Sequence, residues 1–462
     1  MRLYNTLSRK VEDFIPNDET IKIYTCGPTV YEKSHIGHWY TYVRNDTLVR
    51  LLEFKYKKVT WVINITDVGH LTSDADTGED KLEKSAKKNK KTAWEIADFY
   101  IEDFRSGLKN LNIKHPTVMP RATDHIPDQI DLIQKLEKLG YTYKIDDGVY
   151  FDTSKFINYR DFAQLDLDEQ QAGSRIEFNV NKRNASDFAL WKFSNSEQKR
   201  DMEWESPWGT GFPGWHIECS AMSLKYLGDN FDIHSGGIDH IPIHHTNEIA
   251  QSMAITGKMP ANYWFHSNHV MIDGQKISKS LGNGYSLDDL KNLGYEYEDL
   301  RIHILESNYR KQANFKLDSL NATKKRLKSW QKISALIWQI NSNPVTNLLE
   351  KFKENIIESL EDDLNTPKCL SEIEKAFNFI SQNTDKISKE ELIDLLQFID
   401  NLLGLHLSEI TNISNDIMKT INKREIFKKN KQWIKADKLR TELMNKGIGL
   451  EDVPNSTFWY YL

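Results

Sequence analysis

The first part of the chain alternates between short apolar runs and longer amphipathic stretches. The run IKIYTC (21–26) is rich in β-branched and aromatic residues and is followed by a turn sequence. The stretch 34–54 has apolar residues at helical spacing with Ser34 at the expected N-cap, and KKVTWVINIT (57–66) has the composition of a second strand. Strand, helix and strand at this spacing predict a doubly wound parallel sheet, in which ligands bind at the carboxyl ends of the strands.

Further along the chain the pattern changes several times. Residues around 116–200 are mixed and charged and include a predicted hairpin, YKIDDGVYFD, before α/β character returns; beyond about 300 the spacing is nearly all helical. A basic helix and a short hairpin are predicted at the end. We therefore expect an α/β, Rossmann-like domain in two halves (1–115 and 201–300), a connective insertion (116–200), a helical bundle (301–405) and a small C-terminal unit (406–462).

The composition favours an ordered protein of several domains. Of the 462 residues 39% are hydrophobic and 28% are charged; the stretch MRLYNTLSRKVEDF (1–14) has no apolar core of signal-peptide length, and no apolar run reaches membrane-spanning length. Cys26, Cys219 and Cys369 are too few and too widely separated for a disulfide framework, so we expect a cytoplasmic protein. The net charge of −6 does not suggest a nucleic-acid partner, although the stretch 422–440 is densely basic and contains Trp433.

Two short motifs have the residues of a nucleotide site. His35 and His38 lie at the start of the first helix, where free N–H groups suit phosphate, and Gly37 would let a flat base approach the backbone. Lys276 and Lys279 in QKISKSLGN lie on a small-residue loop, where their ammonium groups could neutralise a triphosphate. Each motif alone fits ordinary histidines or surface lysines equally well, but their order along the chain resembles that of class I aminoacyl-tRNA synthetases.

Four further residues are candidate metal ligands. His244 and Glu248 are four residues apart and would project from one face of a helix, while Cys26 and Cys219 lie in segments that belong to the same crevice of the predicted sheet. Thiolate, imidazole and carboxylate form a plausible zinc set. Because no CxxC spacing occurs, the same residues could also be two buried thiols and a surface pair on a helix, and spacing alone leaves both interpretations open.

Nearly the whole chain resembles the cysteinyl-tRNA synthetase family. The similarity is carried by YTCGPTVY (24–31), HIGH (35–38), PRATDHI (120–126), DFALWK (187–192), GWHIECS (214–220), FDIHSGGID (231–239), HHTNE (244–248) and KISKS (276–280). This resemblance implies a catalytic domain built from the two halves of the α/β fold. It also implies that the small C-terminal unit binds a tRNA anticodon.

The resemblance implies a role for each motif residue. One zinc ion per chain would be held in the amino-acid pocket by Cys26, Cys219, His244 and Glu248. Catalysis would involve His35, His38, Lys276 and Lys279; ATP would contact His35, Gly37, His38, Asp239 and Lys279; cysteine and its adenylate would contact Trp215, His216, His234 and Asp239. Cysteine and serine differ by one atom, which shape alone discriminates poorly, whereas a zinc ion with an open position prefers a thiolate.

The implied reaction joins cysteine to tRNA in two steps. L-cysteine and ATP, accompanied by Mg²⁺, would form cysteinyl-adenylate and pyrophosphate, and the cysteinyl group would pass to the 3′-terminal adenosine of the tRNA for cysteine. In the C-terminal unit, Trp433 would stack on an unpaired base, and Asp437 and Asp452 would accept hydrogen bonds from a guanine edge. We expect a monomer with no membrane partner.

Some positions depart from the family pattern without removing a candidate ligand. Ile277 replaces a usual methionine, Ile243 a proline and Thr246 a frequent glutamate, while the stretch 66–82 is longer and more acidic than the common form. The main alternative function is that of a related zinc-dependent ligase that joins cysteine to an amino sugar in thiol-cofactor synthesis. That ligase should not need an anticodon-binding end. A non-catalytic relative should have lost part of HIGH or KISKS, and a zinc hydrolase should carry HExxH.

Overall fold

The structure is a computed structural model that describes residues 1–69, 80–164, 181–194, 200–277, 282–340, 347–453 and 456–462. The chain divides into two units, the first formed by Met1–Leu290 with Tyr309–Ala313 and the second by Lys291–Asn308 with Asn314–Leu462. The finer division into five segments stays a prediction.

Strands and helices alternate in the first unit, and helices dominate the second. The strands are β1 (Arg2–Asn5), β2 (Lys10–Asp13), β3 (Ile21–Thr25), β4 (Val59–Ile63), β5 (Thr142–Ile145), β6 (Gly148–Phe151), β7 (Phe188–Phe193), β8 (Gly211–Pro213), β9 (Phe231–Gly237), β10 (Ala261–Ser267), β11 (Val270–Ile272), β12 (Gln275–Lys276), β13 (Ala313–Phe315), β14 (Ile448–Val453) and β15 (Ser456–Tyr461). The helices are α1 (Ile36–Tyr56), α2 (Lys81–Asn89), α3 (Ala93–Asn110), α4 (Ile126–Lys138), α5 (Trp215–Leu227), α6 (Thr246–Thr256), α7 (Leu287–Asn292), α8 (Tyr297–Leu305), α9 (Leu317–Ser334), α10 (Glu350–Glu361), α11 (Thr366–Gln382), α12 (Lys389–Leu403), α13 (Asn415–Lys429) and α14 (Trp433–Asn445).

A parallel sheet in the order β10-β9-β3-β4 lies at the centre of the first unit and confirms the predicted α/β fold. Its β-branched and aromatic residues are buried: Ile23, Val62 and Ile233 are all inaccessible to solvent. This burial on both faces is typical of parallel strands covered by helices. The carboxyl ends of the neighbouring strands β3 and β9 meet at one edge, where Cys26 follows β3 and donates its N–H to Ser235 O at 3.0 Å.

Helix α1 begins one residue later than predicted, because His35 rather than Ser34 is its N-cap. The Nδ1 atom of His35 accepts from the N–H of Gly37, and the N–H of His35 donates to Nδ1 of His38. This reciprocal pair of bonds is a capping box built from two imidazoles, which satisfies N–H groups that the helix itself cannot bond. A histidine therefore takes the place in which hydroxyl or carboxylate side chains are more usual.

Two antiparallel hairpins interrupt the parallel sheet along the chain. The predicted hairpin YKIDDGVYFD is confirmed as β5 and β6, which belong to an antiparallel sheet in the order β5-β6-β7-β8. The DG sequence between β11 and β12 forms a tight turn with positive φ at both Asp273 (49°) and Gly274 (77°). Positive φ at both central positions is what a two-residue hairpin turn requires.

The second unit contains helices α8–α14 and the hairpin β14–β15. Helix α11 buries one apolar face, and Cys369 on that face is fully buried. The basic stretch 422–440, predicted as one helix, is divided between α13 and α14. Lys431 has a φ of 57°, a left-handed conformation that ends regular helical hydrogen bonding between the two.

Candidate active site and metal centre

A cavity of about 490 Å³ lies at the carboxyl ends of β3 and β9, beside the N-terminus of α1. Nine of the residues singled out in the sequence line it: Cys26, His35, Gly37, His38, Trp215, Cys219, Asp239, His244 and Lys276. Glu248, His216 and His234 are buried in the same unit, each exposing 2% of its surface or less. Lys279 lies outside the described residues.

The four predicted metal ligands converge although the chain separates Cys26 from Glu248 by more than two hundred positions. One donor atom from each of Cys26, Cys219, His244 and Glu248 can be chosen so that all lie within 4.8 Å of one another. Cys26 follows β3, Cys219 lies on α5 and Glu248 on α6. His244 lies on a π-helical turn, Ile241–His245, that leads into α6. Two sulfur atoms, one imidazole and one carboxylate at this spacing fit a zinc ion.

Further histidines contact these candidate ligands. His234 Nε2 lies 2.8 Å from one oxygen of Glu248, while His244 Nε2 lies 3.0 Å from the other. His216 Nδ1 lies 2.9 Å from His244 Nδ1, and the ring of Trp215 lies against that of His244 with centroids 4.3 Å apart and the planes tilted by 38°. These contacts fix the orientation of the donors, as outer contacts do in metal sites. His216 and His234 are not among the residues that line the cavity, and their predicted contact with cysteine and its adenylate stays a prediction.

A chain of imidazoles that the sequence did not reveal ends at Cys26. His245 Nε2 lies 3.3 Å from Cys26 Sγ, His245 Nδ1 lies 2.8 Å from His266 Nε2, and His266 Nδ1 lies 2.8 Å from the hydroxyl of Thr6. Cys26, His234, His245 and Glu248 form a second group whose donor atoms lie within 4.8 Å of one another. The second histidine in HHTNE was the only signal for this arrangement, because Thr6 and His266 are distant in the chain.

Burial controls the charges in this cluster. The Cys26 and Cys219 thiols share a hydrogen bond; donation from Cys26 lowers the pKa of Cys219 to about 7, whereas burial raises the pKa of Cys26 well above its usual value. Burial would lower the pKa of His244, but Glu248 and Cys219 outweigh it and raise that pKa to about 10. Burial lowers the pKa of His245 well below its usual value, so this ring is neutral. At neutral pH the His244 ring is therefore a cation paired with Glu248 and the Cys26 thiol keeps its proton, so a metal ion would have to displace both protons when it binds.

The two histidines of HIGH line the cavity at the start of α1. Their rings stack with centroids 3.9 Å apart, and each uses Nδ1 as an acceptor in the capping box. Burial, and next the neighbouring His35, lower the pKa of His38 to about 3, so its ring is neutral and carries its proton on Nε2. Both rings line the cavity, so His38 offers an N–H donor beside the positive end of the helix dipole.

Two glycines leave room for this geometry. A Cβ atom on Gly27, directly after Cys26, would lie 1.4 Å from the backbone oxygen of Asn64, so no other residue fits between β3 and the end of β4. A Cβ on Gly37 would lie 2.8 Å from Cε1 of His35 and 3.0 Å from Cδ1 of Ile277. The glycine of HIGH therefore keeps the first histidine in its capping position.

The predicted anticodon residues lie in the second unit and differ in their availability. Trp433 is 57% exposed at the start of α14, and Asp437 is exposed on the same helix. In contrast, Asp452 on β14 accepts bonds from Arg424 (2.7 and 2.8 Å) and Lys428 (2.7 Å). The Arg424 hydrogen bond, more than any other contact, lowers the pKa of Asp452. Its carboxylate thus holds the hairpin to α13.

Comparison with known proteins shows the family. A family profile described as "tRNA synthetases class I (C) catalytic domain" matches residues 14–325. The cysteine–tRNA ligase of Treponema denticola is 40% identical over 492 residues, which cover 99% of this chain and 99% of that protein. The chain belongs to the cysteine–tRNA ligase family.

Other members of the cysteine–tRNA ligase family match over a similar length. The ligase of Zymomonas mobilis is 39% identical and covers 97% of this chain, and cysteine–tRNA ligase 1 of Burkholderia lata is 42% identical and covers 98%; in both, 95% of the relative is covered. The family is one of class I aminoacyl-tRNA synthetases, which are ATP-dependent ligases. The predicted family and enzyme class are confirmed.

Solved structures of other tRNA synthetases have a fold similar to that of this chain. Methionyl-tRNA synthetase of Mycobacterium tuberculosis, bound to methionyl-adenylate, matches with a TM-score of 0.61 at 14% identity over 84% of this chain and 92% of that one. A leucyl-tRNA synthetase of Agrobacterium radiobacter K84 matches with a TM-score of 0.60 at 12% identity over 87% of each chain. None of the helices in the described ranges combines the length and apolar character needed to span a bilayer.

Proposed function

We propose that this protein activates L-cysteine with ATP, which gives cysteinyl-adenylate and pyrophosphate, and transfers the cysteinyl group to the 3′-terminal adenosine of a tRNA for cysteine. One observation carries the proposal: both cysteines and the histidine of the donor cluster line the same cavity as the HIGH histidines. An amino-acid site that can recognise a thiol thus adjoins a site suited to nucleotide phosphates. The amino-sugar ligase is not favoured, since relatives named cysteine–tRNA ligase match nearly the full chain.

Cys26, Cys219, His244 and Glu248 would hold one zinc ion at the end of the cavity. Their donor atoms converge within 4.8 Å, and they include the two thiols that a soft, tetrahedral site favours. When bound, the zinc ion would supply a Lewis-acidic position that prefers the thiolate of cysteine to the hydroxyl of serine. His234 and His216 hold Glu248 and His244 in place, while Trp215 covers the His244 ring.

The remaining residues act on ATP and on the charge that develops during adenylation. The carboxylate of cysteine attacks the α-phosphate in line, and pyrophosphate leaves. His38 would donate from Nε2, and the ring of His35 stacks on it at the start of α1. Both imidazoles would therefore donate to phosphate oxygens beside the helix N-terminus. Lys276, which lines the cavity, and Lys279 would neutralise the leaving pyrophosphate, and Asp239 would orient the adenylate.

The proposal also covers magnesium, the contacts with the tRNA anticodon, the oligomeric state and the cellular compartment. Magnesium would accompany ATP, and Trp433 with Asp437 would contact the anticodon, supported by the exposure of both side chains. Asp452 would contribute by fixing the hairpin as well as by facing the RNA. We expect a monomer that acts in the cytoplasm, which is consistent with three buried cysteines that form no disulfide.

Cysteine-dependent exchange between ATP and pyrophosphate tests the proposal. The intact protein should catalyse exchange with cysteine and only weakly with serine, and it should contain one zinc ion per chain. The Cys219→Ala variant should lose zinc and exchange together. Cys369→Ala is the matched control, because Cys369 is equally buried but belongs to the second unit. Full exchange by zinc-free Cys219→Ala would contradict the proposed selection of cysteine.

A further inference from the structure

Helix α2 and the turn after it carry concentrated positive charge. The sequence KLEKSAKKNKK (81–91) holds six lysines and one glutamate, in a chain whose net charge is −6. The buried side chains of Leu82 and Ala86 attach α2 to the rest of the first unit. Its lysines point elsewhere, and we name them the basic surface: Lys81, Lys84, Lys87, Lys88, Lys90 and Lys91, of which all but Lys81 are exposed.

Three carboxylates beside the basic surface, all among the described residues, are used within the protein. Asp80 caps α2 and pairs with Arg200. Glu83 accepts the backbone N–H of Asp201 at 2.8 Å, and Glu95 closes the capping box at the start of α3. These acids are therefore committed to local structure.

Part of the positive charge on the basic surface is left uncompensated among the described residues. Lys87, Lys88 and Lys90 form no ion pair with any carboxylate in the part of the chain that the structure describes. Lys84 and Lys88 are four residues apart within α2, a spacing at which like charges destabilise a helix. A polyanion bound along α2 would relieve this repulsion.

The basic surface starts at the edge of the catalytic cavity. The ammonium of Lys81 lies 5.6 Å from the centre of the Tyr31 ring, and Tyr31 lines the cavity. Asn64 and Thr66, which follow β4 in the chain segment that precedes α2, line it too. Nine helical residues extend about 13 Å, a length that spans about four phosphates of one nucleic-acid strand.

Aromatic side chains on α3 flank the lysines. Trp94 is 39% exposed and Phe99 is 50% exposed. The ammonium of Lys91 lies 5.3 Å from the centre of the Phe99 ring, and the indole N–H of Trp94 donates to the backbone oxygen of Asp201 at 3.1 Å. Lysines beside exposed aromatic rings are typical of surfaces that bind single-stranded nucleic acid.

We propose that the basic surface binds the phosphates of the tRNA acceptor arm and guides its 3′ end into the cavity. This inference rests on the proposed function, which requires the terminal adenosine to reach the adenylate. Charge complementarity favours an RNA strand as the occupant, and contact with the cavity edge favours the acceptor arm over the rest of the tRNA. The lysines act on binding and take no part in adenylation.

The test uses the double variant Lys87→Ala with Lys88→Ala in the full-length, zinc-loaded protein. The KM for a tRNA transcript should rise about tenfold or more, and the slope of log affinity against log salt should fall by about 1.5, because two phosphate contacts are lost. Exchange between ATP and pyrophosphate, which needs no tRNA, should be unchanged. An RNA minihelix that contains only the acceptor arm should show the same loss of affinity.

Lys55→Ala with Lys58→Ala is the matched control, since these exposed lysines adjoin the opposite, amino end of β4. Their loss should leave the KM for tRNA unchanged. Equal tRNA affinity in the α2 variant and in this control would overturn the inference, as would an effect on full tRNA that is missing with the minihelix. Parallel loss of exchange in the α2 variant would also overturn it, because α2 would then support the cavity. Absence of exchange in the unaltered protein would instead refute the proposed function.

Discussion

The donor cluster in the first unit and the contact between α13 and the hairpin β14–β15 in the second differ in how their charged groups are compensated. Cys26, Cys219, His244 and Glu248 are nearly inaccessible, and their donors face one another. Asp452 lies at the surface, where Arg424 and Lys428 neutralise it. Buried polar groups must be compensated, and in the cluster neighbouring ligands and histidines do so. Ion pairs compensate Asp452 locally. A group of charged residues therefore indicates a binding site only where ion pairs within the protein do not already neutralise it.

The largest effect is expected from removing a ligand of the cluster. Glu248→Ala takes away a carboxylate that contacts both His234 and His244. We expect loss of the zinc ion and a fall in cysteine-dependent exchange of more than about 100-fold, above the range for outer contacts. Metal analysis together with exchange kinetics measures both. Unchanged zinc content would show that Glu248 is not a ligand.

The two regions differ in how much of their structure could be predicted from the sequence. The strands β3 and β9 could be predicted from their apolar runs, and motif similarity selected all four cluster residues before their convergence was known. The His245–His266–Thr6 chain could not be predicted, because it depends on which side chains three distant segments place together. The commitment of Asp452 to Arg424 was also hidden, since it depends on the register between a helix and a hairpin that few residues define.

A smaller effect is expected from the outer contact to Cys26. His245→Ala removes the imidazole 3.3 Å from the Cys26 sulfur and should weaken zinc binding about 10- to 100-fold. His245→Gln retains an N–H donor and should recover part of the affinity. Competition with a chelator of known affinity measures each value. Equal affinity in the three proteins would mean that the imidazole chain does not support the metal site.

In the second unit, Trp433→Ala tests whether this exposed aromatic ring contributes to tRNA binding. Stacking on one base contributes about 1–3 kcal/mol, so the KM for tRNA should rise about tenfold while exchange stays constant. Ile434→Ala is the control, because Ile434 is 89% exposed beside it but lacks an aromatic face. Similar KM values for both variants would exclude stacking by Trp433.

The smallest effect concerns the stability of the hairpin. Because the pKa of Asp452 is lowered in the folded protein, its ion pairs stabilise the fold above the unfolded pKa and are lost as pH falls through the folded value. The free energy of unfolding should therefore decrease below about pH 4 by about 1 kcal/mol from this group. Asp452→Asn should be less stable at pH 7 and should lack that part of the acid dependence. Denaturant titrations of both proteins at pH 3 and pH 7 measure this difference. If the unaltered protein and the variant lose the same free energy of unfolding between the two pH values, the ion pairs contribute nothing.

X-ray absorption spectroscopy of the zinc-loaded protein tests the metal site most directly. Cys26, Cys219, His244 and Glu248 would give two sulfur neighbours and two lighter ones, and Cys219→Ala should not retain that spectrum. The second group, Cys26 with His234, His245 and Glu248, would give a single sulfur neighbour. Two sulfurs are the predicted result; one sulfur, or a purified active protein without zinc, would contradict the assignment of the ion that selects cysteine.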